Sequence, residues 1–229
     1  GEFRGKNILA QRRPLAETAK QFELTLEQAN ARLLALLERL RVLRAARPRP
    51  LLDDKIVTAN NALMISALAK AHRVLGDGAY LTAAKRAAEF VERELHDAAS
   101  GVLFRSWRAG GRGASAGFAE DYAYFVQALL DLYEASFEVR WLQWAERLQA
   151  KMDERFWDGE HGGYFNSAAD DPHIVLRLKE DYDGAEPAPS SVAAMNLLRF
   201  AAIFDTGSGG GGFRARGRRT IEALRAQWT

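Results

Sequence analysis

Acidic side chains stand in front of three apolar stretches of this chain. Asp54 precedes the first stretch, Glu120 and Asp121 precede the second, and Asp183 and Glu186 precede the third. A carboxylate can act as a general acid or base, and it can also accept hydrogen bonds from the hydroxyls of a sugar. We therefore predict these five residues as the catalytic set.

The same acids have a structural explanation. Asp and Glu are favoured where helices begin, because they accept hydrogen bonds from free amides and oppose the helix dipole. Asp54 and Asp121 could serve only in that way. The segment from Asp183 to Pro187 holds two acids, a flexible glycine and a stiff proline, which is more typical of a shaped loop. Both interpretations stay open from the sequence.

Polar and aromatic residues near these acids complete the predicted site. We predict that Asn61 orients ligand hydroxyls and that Trp107, Tyr122 and Tyr164 bind the substrate as a stacking platform for a sugar ring. The alternative is that these large aromatic side chains fill the core and its rim.

The sequence predicts neither a metal nor a cofactor. His72, His96, His161 and His173 are scattered, without the HxH or HExxH spacing of a metal site. The run from Gly110 to Gly113 lacks the strand–helix context of a phosphate-binding loop. The chain contains no cysteine, which excludes disulfides and cysteine-ligated metal within it.

Composition narrows the class of protein and its partners. The chain has 229 residues and a formal net charge of +2, which gives no sign of a nucleic-acid partner. Its apolar runs are shorter than the roughly 18 residues that span a bilayer, so no membrane partner is expected. The segment at 1–10 lacks the apolar core of a signal peptide, and we expect a cytoplasmic protein.

A block of the sequence recurs without a gap at an offset of 61 residues. Ala67-Leu68 matches Ala128-Leu129, and Gly101 matches Gly162. A looser third copy runs from residue 191 to residue 228. A fixed period of this length indicates an array of supersecondary units, each of which buries its apolar face against its neighbours.

Each unit pairs a mostly apolar helix with an amphipathic one, the pattern of an α/α toroid with inner and outer helices. We predict an all-α fold: a partial (α/α)6 toroid of helical hairpins with short β-hairpin insertions, including a strand from Ile174 to Leu178. The chain is expected to be a single domain over 1–229, with an N-terminal extension at 1–24 and a Gly-rich linker at 207–212. The seven predicted helices cover about 25–44, 57–75, 80–95, 118–136, 141–156, 190–204 and 213–228.

Several motifs carry a family resemblance in their order and spacing. They are Gly5-Lys6-Asn7-Ile8-Leu9, Asp53-Asp54-Lys55-Ile56, the segment from Phe118 to Ala123, and Gly162-Gly163-Tyr164-Phe165. The chain resembles the C-terminal part of the thioredoxin-domain-containing proteins related to spermatogenesis-associated protein 20. The resemblance implies a thioredoxin-like domain, absent here, followed by a toroid similar to N-acylglucosamine 2-epimerases and six-hairpin glycosidases. It also implies Trp-Asn-Gly where this chain has Asn60-Asn61-Ala62.

Two hypotheses for function follow. In the first, the inner-helix N-termini open on one face of the toroid, and their acids bind or process a sugar-like ligand as in a glycosidase or sugar epimerase. In the second, the domain is a non-catalytic scaffold for a thioredoxin-like redox protein, or an inactive fragment. Apolar inner helices exposed at an open edge predict a homodimer.

Overall fold

A computed structural model describes residues 10–171, 174–204 and 212–225. These residues form two compact units, one ending at Asp53 and the other beginning at Asp54. The Gly5–Leu9 motif, His173 and the Gly-rich run before Gly212 lie outside the described residues. No helix in the described part of the chain has the length and apolar character needed to cross a membrane.

The first unit contains two helices, α1 (Leu15–Gln21) and α2 (Leu26–Ala45). A capping box starts α2: the Gln28 amide donates to Thr25 Oγ1 at 3.1 Å, and the Thr25 amide donates to Gln28 Oε1 at 3.0 Å. Two otherwise free amides are satisfied in this way. The capping box fixes the start of α2, which lies within one residue of the start predicted from the sequence.

The second unit consists of three helical hairpins. The first helix of each hairpin is the more buried one, because its apolar residues cover most of its circumference. The central helix α5 packs against α3, α6 and α7 and forms the middle of the core. The helices are α3 (Thr58–Leu75), α4 (Gly78–Glu94), α5 (Ala119–Ser136), α6 (Val139–Phe156), α7 (Pro189–Phe204) and α8 (Phe213–Leu224).

The sequence repeat is also a structural repeat. Helices α3 and α5 begin and end 61 residues apart, and both end at a left-handed residue, Gly76 with φ of 74° and Phe137 with φ of 56°. The turns after α4 and α6 correspond as well: Gly101 and Gly162 have φ of 73° and 79°. The common offset shows that the two hairpins share one local design.

Short strands connect the hairpins at the end where the inner helices begin. β1, β4 and β5 form an antiparallel sheet in the order β1-β4-β5, and β2 pairs with β3. Ile56 lies opposite Trp107, and Arg108 lies opposite Gly111. The strands are β1 (Ile56–Val57), β2 (His96–Asp97), β3 (Val102–Leu103), β4 (Ser106–Arg108) and β5 (Gly111–Arg112).

The strand expected from Ile174 to Leu178 does not form, so that prediction is wrong. Two backbone hydrogen bonds join this segment to the residues before it, from the Asn166 amide to the Leu178 carbonyl at 2.8 Å and from the Ile174 amide to the Asp171 carbonyl at 3.3 Å. The alternating pattern misleads because its apolar side chains do not face a core: Leu176 and Leu178 are exposed. Alternation predicts a strand only where one face is buried.

The buried Asp131 carboxylate joins the three inner helices through ion pairs and a hydrogen bond. The Asp131 carboxylate of α5 accepts a hydrogen bond from Ser66 and lies 3.1 Å from Lys70 Nζ, both on α3. It also lies 2.9 Å from Arg199 of α7, which pairs with Glu134 at 2.6 Å. A buried carboxylate needs such partners because it has lost its hydration.

Candidate functional site

Asp121 fixes the start of two inner helices. Its side chain is fully buried, and Oδ1 accepts a hydrogen bond from the Ala59 amide at 2.9 Å in α3. Oδ2 accepts one from the Phe118 amide at 2.9 Å, at the start of α5. The capping role that the sequence allowed for this residue is therefore present.

Arg105 brings Glu120 and Asp121 together. Its Nη1 donates to Glu120 Oε1 at 2.5 Å and to Asp121 Oδ2 at 3.0 Å. Burial raises the pKa of Asp121 to about 6, and the positive charge of Arg105 and the amide hydrogen bonds only partly oppose that rise. The site thus contains a carboxyl group that titrates near neutral pH.

Glu120 differs from Asp121 because it reaches an open cleft. The cleft has a volume of about 310 Å³, and Glu120 and Asn166 are polar groups in its wall. Its remaining walls, mostly apolar, come from the start of α5, the turn after α6 and the segment before α7: Phe118, Ser167, Ile174, Leu176, Leu178 and Pro189.

The third acidic cluster combines a capping residue with an open one. Asp183 Oδ1 accepts a hydrogen bond from the Ala188 amide at 2.7 Å, and Oδ2 accepts one from Ser191 Oγ at 3.3 Å. These contacts hold the start of α7. Glu186 is exposed, and its carboxylate makes no hydrogen bond to the rest of the described chain.

Tyr124 joins the start of α5 to the loop before α7, because its hydroxyl donates a hydrogen bond to the Pro187 carbonyl. Burial raises the pKa of that hydroxyl, and the negative charges of Glu120, Glu186, Glu180 and Asp183 raise it further. Carboxylates of the second and third clusters thus act electrostatically on one phenol.

Asp54 is paired with an arginine at the surface. Its Oδ1 accepts a hydrogen bond from Arg108 Nε at 2.5 Å, and both side chains are about half exposed. Asn61 donates from Nδ2 to the Val57 carbonyl at 2.9 Å, within the first turn of α3.

The aromatic platform is not assembled as the sequence suggested. Tyr122 and Tyr164 are fully buried, so neither has surface to offer a ligand. Their hydroxyls are engaged internally: Tyr122 accepts from the Leu103 amide at 2.8 Å, and Tyr164 donates to Asp153 Oδ1 at 2.5 Å. Half-buried Trp107 packs edge-on against Phe90. Both tyrosines therefore belong to the core, and we leave them out of the site.

One residue of the site was missed from the sequence. Arg105 lies just before β4, and only the closure of the loop onto α5 brings it to its acids. Over residues 10–171, 174–204 and 212–225, no group of three His, Asp or Glu side chains is arranged to hold a metal ion.

Comparison with known sequences identifies relatives along most of the chain. No family model matches it. Spermatogenesis-associated protein 20 of Homo sapiens is 45% identical over 207 residues, which is 87% of this chain and 26% of the relative. The chain thus spans about a quarter of the length of the curated relatives it matches.

Comparison with solved structures identifies the fold. A GH76 α-mannanase of Bacteroides thetaiotaomicron matches with a TM-score of 0.61 and 16% identity, over 80% of this chain and 46% of that one. A cellobiose 2-epimerase of Bacillus thermoamylovorans matches with a TM-score of 0.60 and 16% identity, over 73% and 44%. The predicted α/α-toroid class is confirmed, and at this identity the likeness concerns the fold alone.

Proposed function

This chain is a homologue of part of spermatogenesis-associated protein 20, and from that premise we propose that it binds or processes a sugar-like ligand. The proposed site is the mouth where the inner helices begin. The observation that carries it is the open cleft at the start of α5, which has Glu120 in its wall. The hydrogen bond from the Tyr124 hydroxyl to the Pro187 carbonyl joins α5 to the loop that holds Asp183 and Glu186. The fold that the chain shares with an α-mannanase and a cellobiose 2-epimerase supports this class of ligand.

The cleft has the chemistry that a sugar ring requires. Its volume of about 310 Å³ is near the lower end of the range for small-molecule sites, roughly 300–1,000 Å³. Apolar walls suit the C–H faces of a pyranose. Glu120 and Asn166 in the wall can exchange hydrogen bonds with its hydroxyls.

The five acids divide into different proposed roles. Glu120 and Glu186 are accessible, so they are the proposed groups that touch the ligand and transfer protons. Asp121 and Asp183 hold helix starts and act as positioning residues. Asp54 binds the ligand from the side of the β4–β5 hairpin. Hydrolysis would require two carboxyl groups roughly 5–10 Å apart across the scissile bond.

Glu186→Gln gives the cleanest test. The exposed carboxylate has no hydrogen-bond partner in the described chain, so the substitution removes charge without disturbing the fold. We would titrate the chain with a panel of mono- and disaccharides by calorimetry. The matched control is Glu92→Gln, which removes the same charge from an exposed position of α4.

A sugar that binds the native chain and the Glu92→Gln variant should bind Glu186→Gln about tenfold more weakly, because one charge-assisted hydrogen bond is lost. A similar loss of affinity in the Glu120→Gln variant would show that the sugar binds in the cleft. The proposal is contradicted if no sugar binds the native chain, or if Glu92→Gln weakens binding as much as Glu186→Gln.

A specific observation favours a second candidate function, that of a non-catalytic scaffold. Asp54 and Glu120 are paired with arginines, and Asp121 and Asp183 cap helices, so four of the five acids have structural partners. The proposed partner is a thioredoxin-like redox domain. A scaffold would keep its partner in the Glu186→Gln variant, whereas a sugar site would lose its ligand.

A further inference from the structure

The segment before α7 has the reverse of the usual pattern of burial. Leu176 and Leu178 are 72% and 62% exposed, whereas the side chains of Arg177 and Lys179 are half-buried. Large apolar side chains normally lie inside a soluble protein and charged ones outside, so an exposed apolar patch needs an explanation. Patches of this kind mark surfaces where a ligand or a partner binds.

The two cations anchor this segment to the protein. Arg177 donates from Nε to the Ser167 carbonyl and from Nη2 to the Arg155 carbonyl, each at 3.0 Å. Lys179 donates from Nζ to Asp158 Oδ2 at 2.6 Å. With its cations bonded to the protein, the segment holds its leucines on the outside.

The outward side chains form a wall of the cleft that contains Glu120. Ile174, Leu176 and Leu178 line this cleft of about 310 Å³, and Pro189 extends the apolar surface. Small-molecule sites are mostly apolar and contain a few polar groups, which is the composition of this wall. The exposed leucines therefore border a cavity of the kind that holds a ligand.

The polar groups in the wall suit only a few hydroxyls, because the chain already uses part of their capacity. Glu120 Oε1 accepts a hydrogen bond from Arg105 at 2.5 Å. Asn166 Oδ1 accepts one from the Glu180 amide at 2.9 Å, and its Nδ2 donates to the Glu180 carboxylate at 3.3 Å. A carboxylate has about four acceptor sites and an amide nitrogen has two donors, so a small polar group of a ligand can still bind here.

Most of the apolar wall is aliphatic. Among the described residues of the wall, only Phe118 is aromatic, and the Arg105 guanidinium lies 4.9 Å from the centre of its ring. Aliphatic side chains form no hydrogen bonds with the hydroxyls of a sugar, but they are stabilised when hydrocarbon covers them. This part of the cleft therefore fits an apolar group better than a second sugar ring.

We propose that the ligand of this cleft is a glycoside with an apolar aglycone, such as an alkyl chain. The aglycone lies on Ile174, Leu176 and Leu178, and the sugar binds at Glu120 and Asn166. This inference rests on the proposed function and names the class of its substrate. Each methylene that the cleft buries contributes about fourfold to affinity.

The test compares ligands that share a sugar and differ in the apolar group. We would titrate the full chain by calorimetry with methyl and octyl glucosides and with methyl and octyl mannosides, below the concentrations at which micelles form. The octyl ether of triethylene glycol supplies the same alkyl chain without a sugar.

The variant for this test is Leu176→Gln. The matched control is Val175→Gln, because Val175 is a fully exposed apolar residue of the same segment that is not part of the cleft wall. Both positions are exposed, so neither substitution disturbs the core. Circular dichroism checks that each variant folds.

At least one octyl glycoside should bind the native chain about a hundredfold more tightly than the methyl glycoside of the same sugar, because three to four methylenes are buried. Leu176→Gln should reduce this advantage about tenfold, and Val175→Gln should leave it unchanged. The octyl ether should bind at least tenfold more weakly than the octyl glycoside, because it lacks the sugar hydroxyls.

Four results would overturn the inference, and they differ in what else they reject. Equal binding of methyl and octyl glycosides rejects the apolar aglycone but leaves the sugar site standing. Absence of binding by all four glycosides rejects the aglycone together with a site for these sugars. An octyl ether that binds as tightly as the octyl glycosides shows an apolar site that does not recognise a sugar. Equal losses in Leu176→Gln and Val175→Gln reject the assignment of the alkyl chain to this cleft.

Discussion

The Asp121 carboxylate accepts a hydrogen bond from the Ala59 amide at 2.9 Å, across 62 residues of sequence. A side chain at the start of α5 therefore caps the neighbouring helix α3. Its second oxygen caps its own helix at the Phe118 amide. One buried carboxylate thus ties the starts of two inner helices together.

Asp121 should make stability depend on pH in a known direction. Its pKa is raised from 3.8 to about 6 in the folded chain, so between about pH 4 and pH 6 the folded state holds a proton that the unfolded state has lost. Stability therefore falls as pH rises through this window, by up to about 3 kcal/mol from this group. In Asp121→Asn the contribution vanishes. Urea unfolding of both proteins from pH 4 to pH 7 measures it.

The same substitution should lower stability at pH 7, because an amide cannot accept from both Phe118 and Arg105. The stability difference between the native chain and Asp121→Asn should still change with pH in the stated direction. A difference that stays constant from pH 4 to pH 7 would show that Asp121 has an ordinary pKa.

The ion network on the three inner helices predicts a large effect of Asp131→Asn. The change leaves Lys70 and Arg199 facing a neutral group in a largely buried position, and we expect a loss of about 2 kcal/mol in the free energy of unfolding. Glu222→Gln is the control, because its pair with Arg218 is exposed and should cost less than about 0.5 kcal/mol. Similar losses in the two variants would argue against the network.

Two glycines with similar positive φ angles, Gly76 at 74° and Gly162 at 79°, should respond differently to substitution by alanine. Gly76 has open space around it, so Gly76→Ala should cost only the left-handed conformation, about 1 kcal/mol. A Cβ at Gly162 would lie 2.7 Å from the Arg219 carbonyl oxygen of α8. Gly162→Ala should therefore cost about 3 kcal/mol. Thermal unfolding measures the stability of the two variants. Equal losses of stability would contradict the close approach of α8 to Gly162.

Exposed apolar residues on α3 and α7 predict self-association. Met64 is 58% exposed and Val74 is 82% exposed on α3, and Met195 is 58% exposed on α7. We expect a concentration-dependent dimer by sedimentation equilibrium, weakened by Met195→Glu. Val139→Glu, at an exposed apolar position of outer helix α6, should leave it unchanged. A monomer at all concentrations, or equal effects of both variants, would contradict the prediction that the exposed residues of α3 and α7 form the dimer interface.

The helices were predictable because the sequence features that specify them lie close together in the chain and occur in more than one repeat. Apolar periodicity located the inner helices to within a few residues, and the capping box at Thr25 depends on residues three apart. The repeat at an offset of 61 residues predicted two hairpins at once, and the prediction of each hairpin supported the prediction of the other. The strand predicted from Ile174 to Leu178 does not form, because the alternation of apolar and polar residues does not show whether a core lies on either side of the segment.

The site was less predictable because its contacts are distant in sequence. From the sequence, Asp121 fits the role of a catalytic acid and that of a helix cap equally well. Only its buried hydrogen bonds show that it caps the two helices. Tyr122 and Tyr164 carry hydroxyls that suit a ligand, yet both hydroxyls are satisfied inside the core. Arg105 acquires its role when the loop that carries it closes onto α5.

The shared cap also orders events during synthesis. When α3 leaves the ribosome, the residue that accepts from Ala59 lies 62 positions later in the chain. At roughly 5–20 residues per second, the ribosome needs several seconds to make it. During that interval the first hairpin has an uncapped amide at the start of α3. The first hairpin therefore completes its native contacts only with the second, and we expect the nascent chain to fold these two repeats as a pair.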